Sequence, residues 1–371
     1  MQQQALGPAV LHLFLELAEL PSPSGSEQAV AEHIRRYLAP LGIPVEGDEA
    51  GNLLARVPPT ERNRGAPILL CAHMDTVPPL GPLEPVVEEG IVRNAGGTIL
   101  GADNKASVAV MLEAARELVS EQRPHAGVEL LFTVREETGL EGAKAFDAGR
   151  LEAELGFVYD YSGQVGDVVT AAPSGRTLDV LFKGRSAHAG INPEDGRSAI
   201  YAAARAISDL RLGRIDEETT ANVGTIAGGS ARNVVPERCE VRAEARSRDE
   251  RKLADLVQEM LDAFSFAASV AECEVETRVE EKYRGYKLPP DDPAFALACR
   301  ALERAGFEPR PVAVGGGADA NVFKERGMVC VNLGTGMTDV HTPQEHIAVA
   351  DLEAMLAVTR ELVDLARGAD A

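Results

Sequence analysis

Pro67-Ile68-Leu69-Leu70-Cys71-Ala72-His73-Met74-Asp75 is a near-continuous apolar run that ends in an imidazole and a carboxylate. A short apolar run of this kind, Pro67 to Ala72, reads as a strand buried on both faces. The same pattern recurs along the chain. Val128 to Val134 is another buried strand, followed by Arg135-Glu136-Glu137-Thr138-Gly139, and Gly156 to Tyr159 is a shorter one, followed by Asp160-Tyr161-Ser162-Gly163. Gly101-Ala102-Asp103-Asn104-Lys105 leads into a helical pattern from Ala106 to Val119, with apolar residues at 108, 111, 112, 115, 118 and 119. Strands alternating with helices, with ligand-type side chains at the strand ends, predict an α/β sheet with its site at the carboxyl edge.

Outward from this stretch, a first helix stops at Pro21-Ser22-Pro23-Ser24-Gly25, and a second runs from near Ser26 to Pro40. After Pro173 the pattern changes. Thr177 to Gly184 reads as a strand, Gly196 to Leu212 as a helix and Thr219 to Ile226 as a strand. Cys239 to Ser247 and Cys273 to Glu281 alternate apolar with polar residues around a helix from Asp249 to Ala268. The order β-α-β-β-α-β is the split arrangement of ferredoxin-like domains. The expected architecture is a mixed-sheet α/β catalytic domain in two segments, 1–173 and 286–371, with an inserted ferredoxin-like domain over 174–285.

Composition narrows the classes. A length of 371 residues suggests more than one domain. With 37 Lys and Arg against 58 Asp and Glu, the formal charge of −21 repels phosphate backbones and anionic lipid, so neither nucleic acid nor membrane partners are expected. Cys71, Cys239, Cys273, Cys299 and Cys330 are odd in number and widely spaced, which fits free buried thiols in a reducing cytoplasm. Met1 to Ala5 lacks a basic leader, and Val10 to Leu20 is broken by His12, Glu16 and Glu19, so it reads as an amphipathic helix rather than a signal peptide.

Each cluster also has a bland reading. Taken alone, His73 and Asp75 read first as a strand-exit histidine and a turn-capping acid; the other reading has Asp75 hold the second nitrogen of a ligating ring. Asp103 is a favoured helix cap or a carboxylate bridging two cations. Glu136 and Glu137 form a solvated turn, or one serves a metal while the other takes a proton from water. Asp160 starts a turn or ligates a metal, and His341 and His346 compete as ligands after Gly334-Thr335-Gly336. Together these residues suit a pair of divalent cations with a base to spare. In the insert, His188 lies in a small-residue loop. Asn233 and Arg246 flank a turn and a strand, and Arg246 offers a guanidinium for a substrate carboxylate.

From Leu11 to Leu365 the chain resembles the metal-dependent peptidases and deacylases that include peptidase T, bacterial glutamate carboxypeptidase and aminoacylase. The likeness rests on the five clusters in order, with the ferredoxin-like insertion between the fourth and fifth. It implies two divalent cations, zinc first, with cobalt and manganese as alternatives. It implies that His73 and Asp160 hold one metal, that Glu137 and His341 hold the second, and that Asp103 bridges them. Asp75 would orient His73, and Glu136 would be the general acid/base. His188, Asn233 and Arg246 would bind the substrate carboxylate or polarise the scissile carbonyl, with His188 acting within one subunit or across a dimer. Gly315-Gly316-Gly317 would line the substrate site, though relatives commonly carry Thr where this chain has Ala318. The bond after Asp103 would be cis. Asp160, where many deacylases carry Glu, leans toward peptides.

The implied function is hydrolysis of amide bonds in short peptides, as in a peptidase T-like, tripeptidase-like aminopeptidase. An N-acyl-amino-acid deacylase or carboxypeptidase on the same scaffold is the alternative. A catalytically silent peptide-binding protein is the rival from another class. A homodimer through the inserted domain is a further expectation.

Overall fold

The computed structural model describes residues 7–60 and 65–368. The Met1 to Ala5 stretch read above lies outside them. The chain forms two compact units. One comprises Met1–Thr170, Leu288–Ala313 and Ala318–Ala371; the other comprises Ala171–Lys287 and Val314–Gly317.

In the first unit, strands lie in the order Val45–Gly47, Leu53–Val57, Val128–Thr133, Ile68–His73, Leu155–Tyr161, Val329–Gly334 and Asp167–Ala172. The four strands from Val128–Thr133 to Val329–Gly334 run parallel, and the flanking pairings are antiparallel. Ile68–His73 and Val128–Thr133 are buried at every position, as the apolar runs require. Helix Ala102–Ser120 packs against both Ile68–His73 and Leu155–Tyr161 and against helices Ala9–Ala18 and Val349–Leu365. It starts four residues before the apolar pattern predicts, and Asp103 and Asn104 inside its first turn are non-helical. The Asp103–Asn104 bond is cis.

Strand Val329–Gly334 is absent from the periodicity reading, although Met328-Val329-Cys330-Val331 is an apolar run of the same kind. A second omission is a small sheet of Pro85–Glu88, Ile91–Asn94 and His346–Ala348. Its hairpin turns at Glu89 and Gly90, both at positive φ, the backbone of a tight two-residue loop.

The second unit has the sheet order Gly213–Arg214, Thr219–Gly228, Arg238–Ser247, Ser174–Lys183 and Glu274–Tyr283, all antiparallel. Without the two-residue edge piece this is the ferredoxin-like order. Helices Ala199–Asp209 and Glu250–Val270 pack on each other and on the sheet. Ser198 and Asp249 cap them, each accepting backbone N–H groups of the first turn. Alternation along Arg238–Ser247 turns Cys239, Val241, Ala243 and Ala245 to the core and leaves Arg242 in water. Phe182 and Phe264 meet edge to face, centroids 6.2 Å apart.

The cysteines are all free; Cys71, Cys239 and Cys330 are buried, but Cys273 and Cys299 are only half-buried, against the expectation of wholly buried thiols. Among the described residues no helix is long and apolar enough to cross a membrane.

Phe264 is fully buried and packs edge to face on Phe182. Phe264→Ala is expected to destabilise the ferredoxin-like unit by about 3–5 kcal/mol, read as a lower urea midpoint of that unit's transition.

Candidate metal centre

The parallel strands share one carboxyl edge, and the predicted ligands of the first unit gather there. His73 ends its strand and is 1% exposed, so both ring nitrogens need protein partners or a cation. Nδ1 donates to the backbone oxygen of Asp75 at 2.9 Å, with the Asp75 carboxylate farther off at 3.4 Å. The nearest partner of the ring is therefore the carbonyl of Asp75, with the carboxylate of the same residue beside it. The carboxylate has other work. Its Oδ2 accepts from Ser24 Oγ at 2.7 Å and from the Glu137 amide at 3.2 Å, and its Oδ1 accepts from the Glu136 amide at 3.0 Å. Asp75 thus fixes the backbone that presents both glutamates.

With its Nδ1 proton committed, His73 aims Nε2 at Asp103 Oδ1, 3.1 Å away, and at Asp160 Oδ1, 3.2 Å away. The other Asp103 oxygen lies 3.3 Å from His341 Nε2, and Glu137 Oε1 lies 2.8 Å from the same nitrogen. Ligand-type atoms fall into three overlapping groups, each within 4.8 Å: His73, Asp103 and Asp160; Asp103, Glu137 and His341; and His73, Glu136 and Glu137. Asp103 is common to the first two groups. It does not cap its helix; its carboxylate is turned to the two imidazoles instead.

Several supports escape sequence reasoning. Asn332 Oδ1 accepts from the Asp160 amide at 3.0 Å, and Asn104 Nδ2 donates to the Tyr159 oxygen at 2.6 Å. Buried Asp319 accepts from Thr133 Oγ1 at 2.5 Å. Glu27 accepts from the Gly25 and Arg135 amides. Local pattern offers little signal for these, since apart from Gly25 beside Glu27 their partners lie far away in sequence. Asp339 and His341 both sit in the left-handed region, φ 52° and 66°, which Asp and His tolerate better than most residues. His346 is no rival to His341: its Nδ1 faces the Gln344 oxygen at 2.9 Å, and it pairs with Arg93 in the small sheet.

Electrostatics follow from burying acids together. Burial pushes Glu136 well above the usual carboxylate range, and Asp160 adds to that push. Asp160 rises to about 7, because burial outweighs the single facing imidazole of His73. Asp103 is driven up by burial too, but it faces both His341 and His73 and ends well below its ordinary value. Burial would lower His73; Asp160, Asp103 and Asp75 override it and hold the ring well above the usual value. Hydrogen bonds to Asp103 and Glu137 raise His341 to about 10.

The donor chemistry fits divalent cations. When the His73 imidazole is neutral with its proton on Nδ1, its Nε2 lone pair faces the Asp103 and Asp160 oxygens, so acceptor meets acceptor unless a proton or a cation lies between. Imidazole nitrogens with carboxylate oxygens suit zinc, manganese or cobalt.

The other predicted residues belong to the second unit. His188 and Asn233 are brought together by backbone: the Ala189 amide donates to the Asn233 oxygen at 3.0 Å, and His188 bridges to Val234. Both side chains are exposed. Arg246 is half-buried and pairs with Glu244 at 2.9 Å. Gly317 abuts the Tyr283 ring, where an added Cβ would come within 2.5 Å, so no side chain fits.

The sequence profile of peptidase family M20/M25/M40 matches residues 69–365. The chain belongs to that family. An uncharacterised Bacillus subtilis protein, YqjE, is 38% identical over 364 residues, covering 95% of this chain and 98% of its own. A tripeptidase structure from Staphylococcus aureus superposes with a TM-score of 0.89 at 34% identity, covering 97% of this chain and 98% of that one. An aminopeptidase PepT structure from Bacillus cereus gives a TM-score of 0.83 at 36% identity, with the same coverage. The family is metal-dependent, and this member carries the cluster to match.

With its value raised to about 10, the His341 ring is expected in its charged form at pH 7 without metal, and His73 is shifted in the same direction. Metal needs the neutral ring, so uptake at pH 7 is expected to release at least one proton. Affinity should weaken as pH falls from 8 to 6, by roughly tenfold per unit for each proton released. Calorimetry in buffers of different ionisation enthalpy checks both.

Proposed function

We propose that this M20-family protein is a two-cation, peptidase T-like exopeptidase that hydrolyses short peptides, tripeptides first. The observation that carries the reading is the Asp103 carboxylate, with one oxygen toward His73 and the other toward His341. A shared carboxylate flanked by two different imidazoles supports two adjacent cation positions. His73 and Asp160 would complete one; Glu137 and His341 would complete the other. The mixed nitrogen and oxygen donors support zinc, with cobalt and manganese as workable substitutes. Bound cations would supply Lewis-acid polarisation of the scissile carbonyl and a water that ionises near neutral pH.

The chain's own residues supply the proton chemistry and the placement. Glu136 takes the proton from the attacking water and returns it to the leaving amine nitrogen. Its burial and raised proton affinity support that two-way role. Asp75 holds the Glu136 amide, so the base keeps its place as its charge changes. His188, Asn233 and Arg246 are assigned to the substrate's carboxylate and carbonyl oxygen, on the likeness of their sequence positions alone. The resemblance of this chain to a tripeptidase and an aminopeptidase along nearly all its length supports the substrate class. Five thiols without a disulfide support a reducing, cytoplasmic setting. Exposed Ile200, Tyr201 and Ile226 support self-association through the second unit.

Turnover of a panel of tripeptides, dipeptides, N-acyl amino acids and end-blocked peptides by zinc-, manganese- or cobalt-loaded protein tests the reading. Free-amine tripeptides should be cleaved fastest. Preference for N-acyl amino acids, or indifference to a blocked amine, would move the assignment to the deacylase or carboxypeptidase activity.

Glu136→Gln keeps the shape but cannot take a proton. It should retain both cations and near-normal KM, with kcat lower by roughly 10²–10⁴-fold. Glu137→Gln should instead lose one equivalent of metal, since a neutral amide is a poor ligand. Metal content by elemental analysis beside kcat separates the roles, and exchanged phenotypes would reverse them.

A further inference from the structure

We propose that Glu345 is the positioning residue of the second cation position, setting Asp103 in place relative to His341. The inference rests on the two-cation reading above. Glu345 is a buried acid, 2% exposed, outside the ligand set. Its Oε2 accepts from the backbone N–H of Leu100 at 2.8 Å and of Gly101 at 2.9 Å, and its Oε1 accepts from that of Asp103 at 3.0 Å. Three main-chain amides of one turn thus converge on a single carboxylate. Gly101, at φ 75°, supplies the left-handed residue that such a cradle of amides uses.

The other end of the side chain is equally tied down. Glu345 lies four residues after His341, and its own amide donates to the Thr342 oxygen at 3.1 Å. The next residue, His346, exchanges backbone hydrogen bonds with Thr338 and pairs with Arg93. One carboxylate therefore joins the turn that carries the shared ligand to the loop that carries His341.

The two cation positions depend on this strut unequally. His73 and Asp160 stand on strands Ile68–His73 and Leu155–Tyr161, which pair directly. The ladder runs to Cys71 opposite Val158, two residues short of each side chain, and His73 is itself paired with Thr133. Asp103 and His341 stand on a turn and a loop, and their 3.3 Å approach has no shared ladder behind it. Glu345 fills that role.

Glu345→Gln keeps the size but brings an NH2 group against at least one N–H donor, so part of the cradle is lost. Affinity for the second equivalent of zinc or cobalt should fall by about 10–100-fold, the usual effect of removing a ligand's supporting partner. Affinity for the first equivalent should change much less. Glu345→Asp, which keeps the charge on a shorter stem, should fall between. In metal-free protein, amide hydrogen exchange at Leu100, Gly101 and Asp103 should quicken in Glu345→Gln while Val128–Thr133 stays protected. Wild-type affinity for the second equivalent, or unchanged exchange at the three amides, overturns the assignment. Equal weakening of both equivalents with faster exchange throughout the core also overturns it, by marking a residue that only holds the fold. A wild-type protein that takes up a single equivalent removes the two-cation reading and this inference together.

Discussion

Four carboxylates and two imidazoles are crowded at one edge of a sheet, largely out of water, and their mutual repulsion is the condition the surrounding structure answers. Acids brought this close cannot all stay ionised without compensating positive charge. Protons supply it in part, which is why Asp160, Glu136 and both imidazoles are shifted toward their protonated forms. Asp103 moves the other way, because two rings face it and one faces Asp160. Divalent cations answer the same need with fixed geometry. The cluster is therefore an acidic trap whose occupancy and protonation compete.

Such a trap holds its shape only if the backbone beneath it does not give way. The sheet provides most of that rigidity: apolar strands buried on both faces leave the ligands at their ends little freedom. Where no ladder reaches, buried polar side chains take over. Asp75 gathers Ser24 and the amides of Glu136 and Glu137; Asn332 holds the Asp160 amide; Glu345 gathers three amides beside Asp103. Each is a carboxylate or amide whose hydrogen bonds are met by main chain, with the Ser24 hydroxyl added at Asp75, the arrangement that makes burial of a polar group tolerable.

This division also separates what is legible in the sequence from what is not. Pro67 to Asp75 announces itself because burial on two faces demands an unbroken apolar run, and the ionisable residues after it stand out. The ferredoxin-like insertion is legible for the same reason: one wet face forces alternation, as Arg238–Ser247 displays. Asp103 is legible only as an acid before a helix, a position with an ordinary explanation; nothing local reveals that its oxygens face rings 30 and 238 positions away. Choosing between His341 and His346 needs the small sheet, whose three-to-four-residue strands are too short to leave a periodic trace. Glu345 and Ser24 are invisible for a related reason: a hydrogen bond to a distant partner, backbone amides for Glu345 and the Asp75 carboxylate for Ser24, places no constraint on neighbouring residue types.

The parallel pairing of Leu155–Tyr161 with Val329–Gly334 carries a consequence for how the protein comes into being. The earlier strand leaves the ribosome long before its partner exists, separated from it by the whole ferredoxin-like unit. At common synthesis rates the wait is on the order of ten seconds or more. Throughout it, the nascent sheet has an unpaired, apolar edge, and His341 has yet to be made. Four of the five segments that carry the candidate ligands are thus synthesised early, yet His341 arrives only after the strand that seals the edge. Closure of the sheet and completion of the cluster become one stage of folding, so a truncated chain is left with an incomplete cluster as well as an unsealed edge.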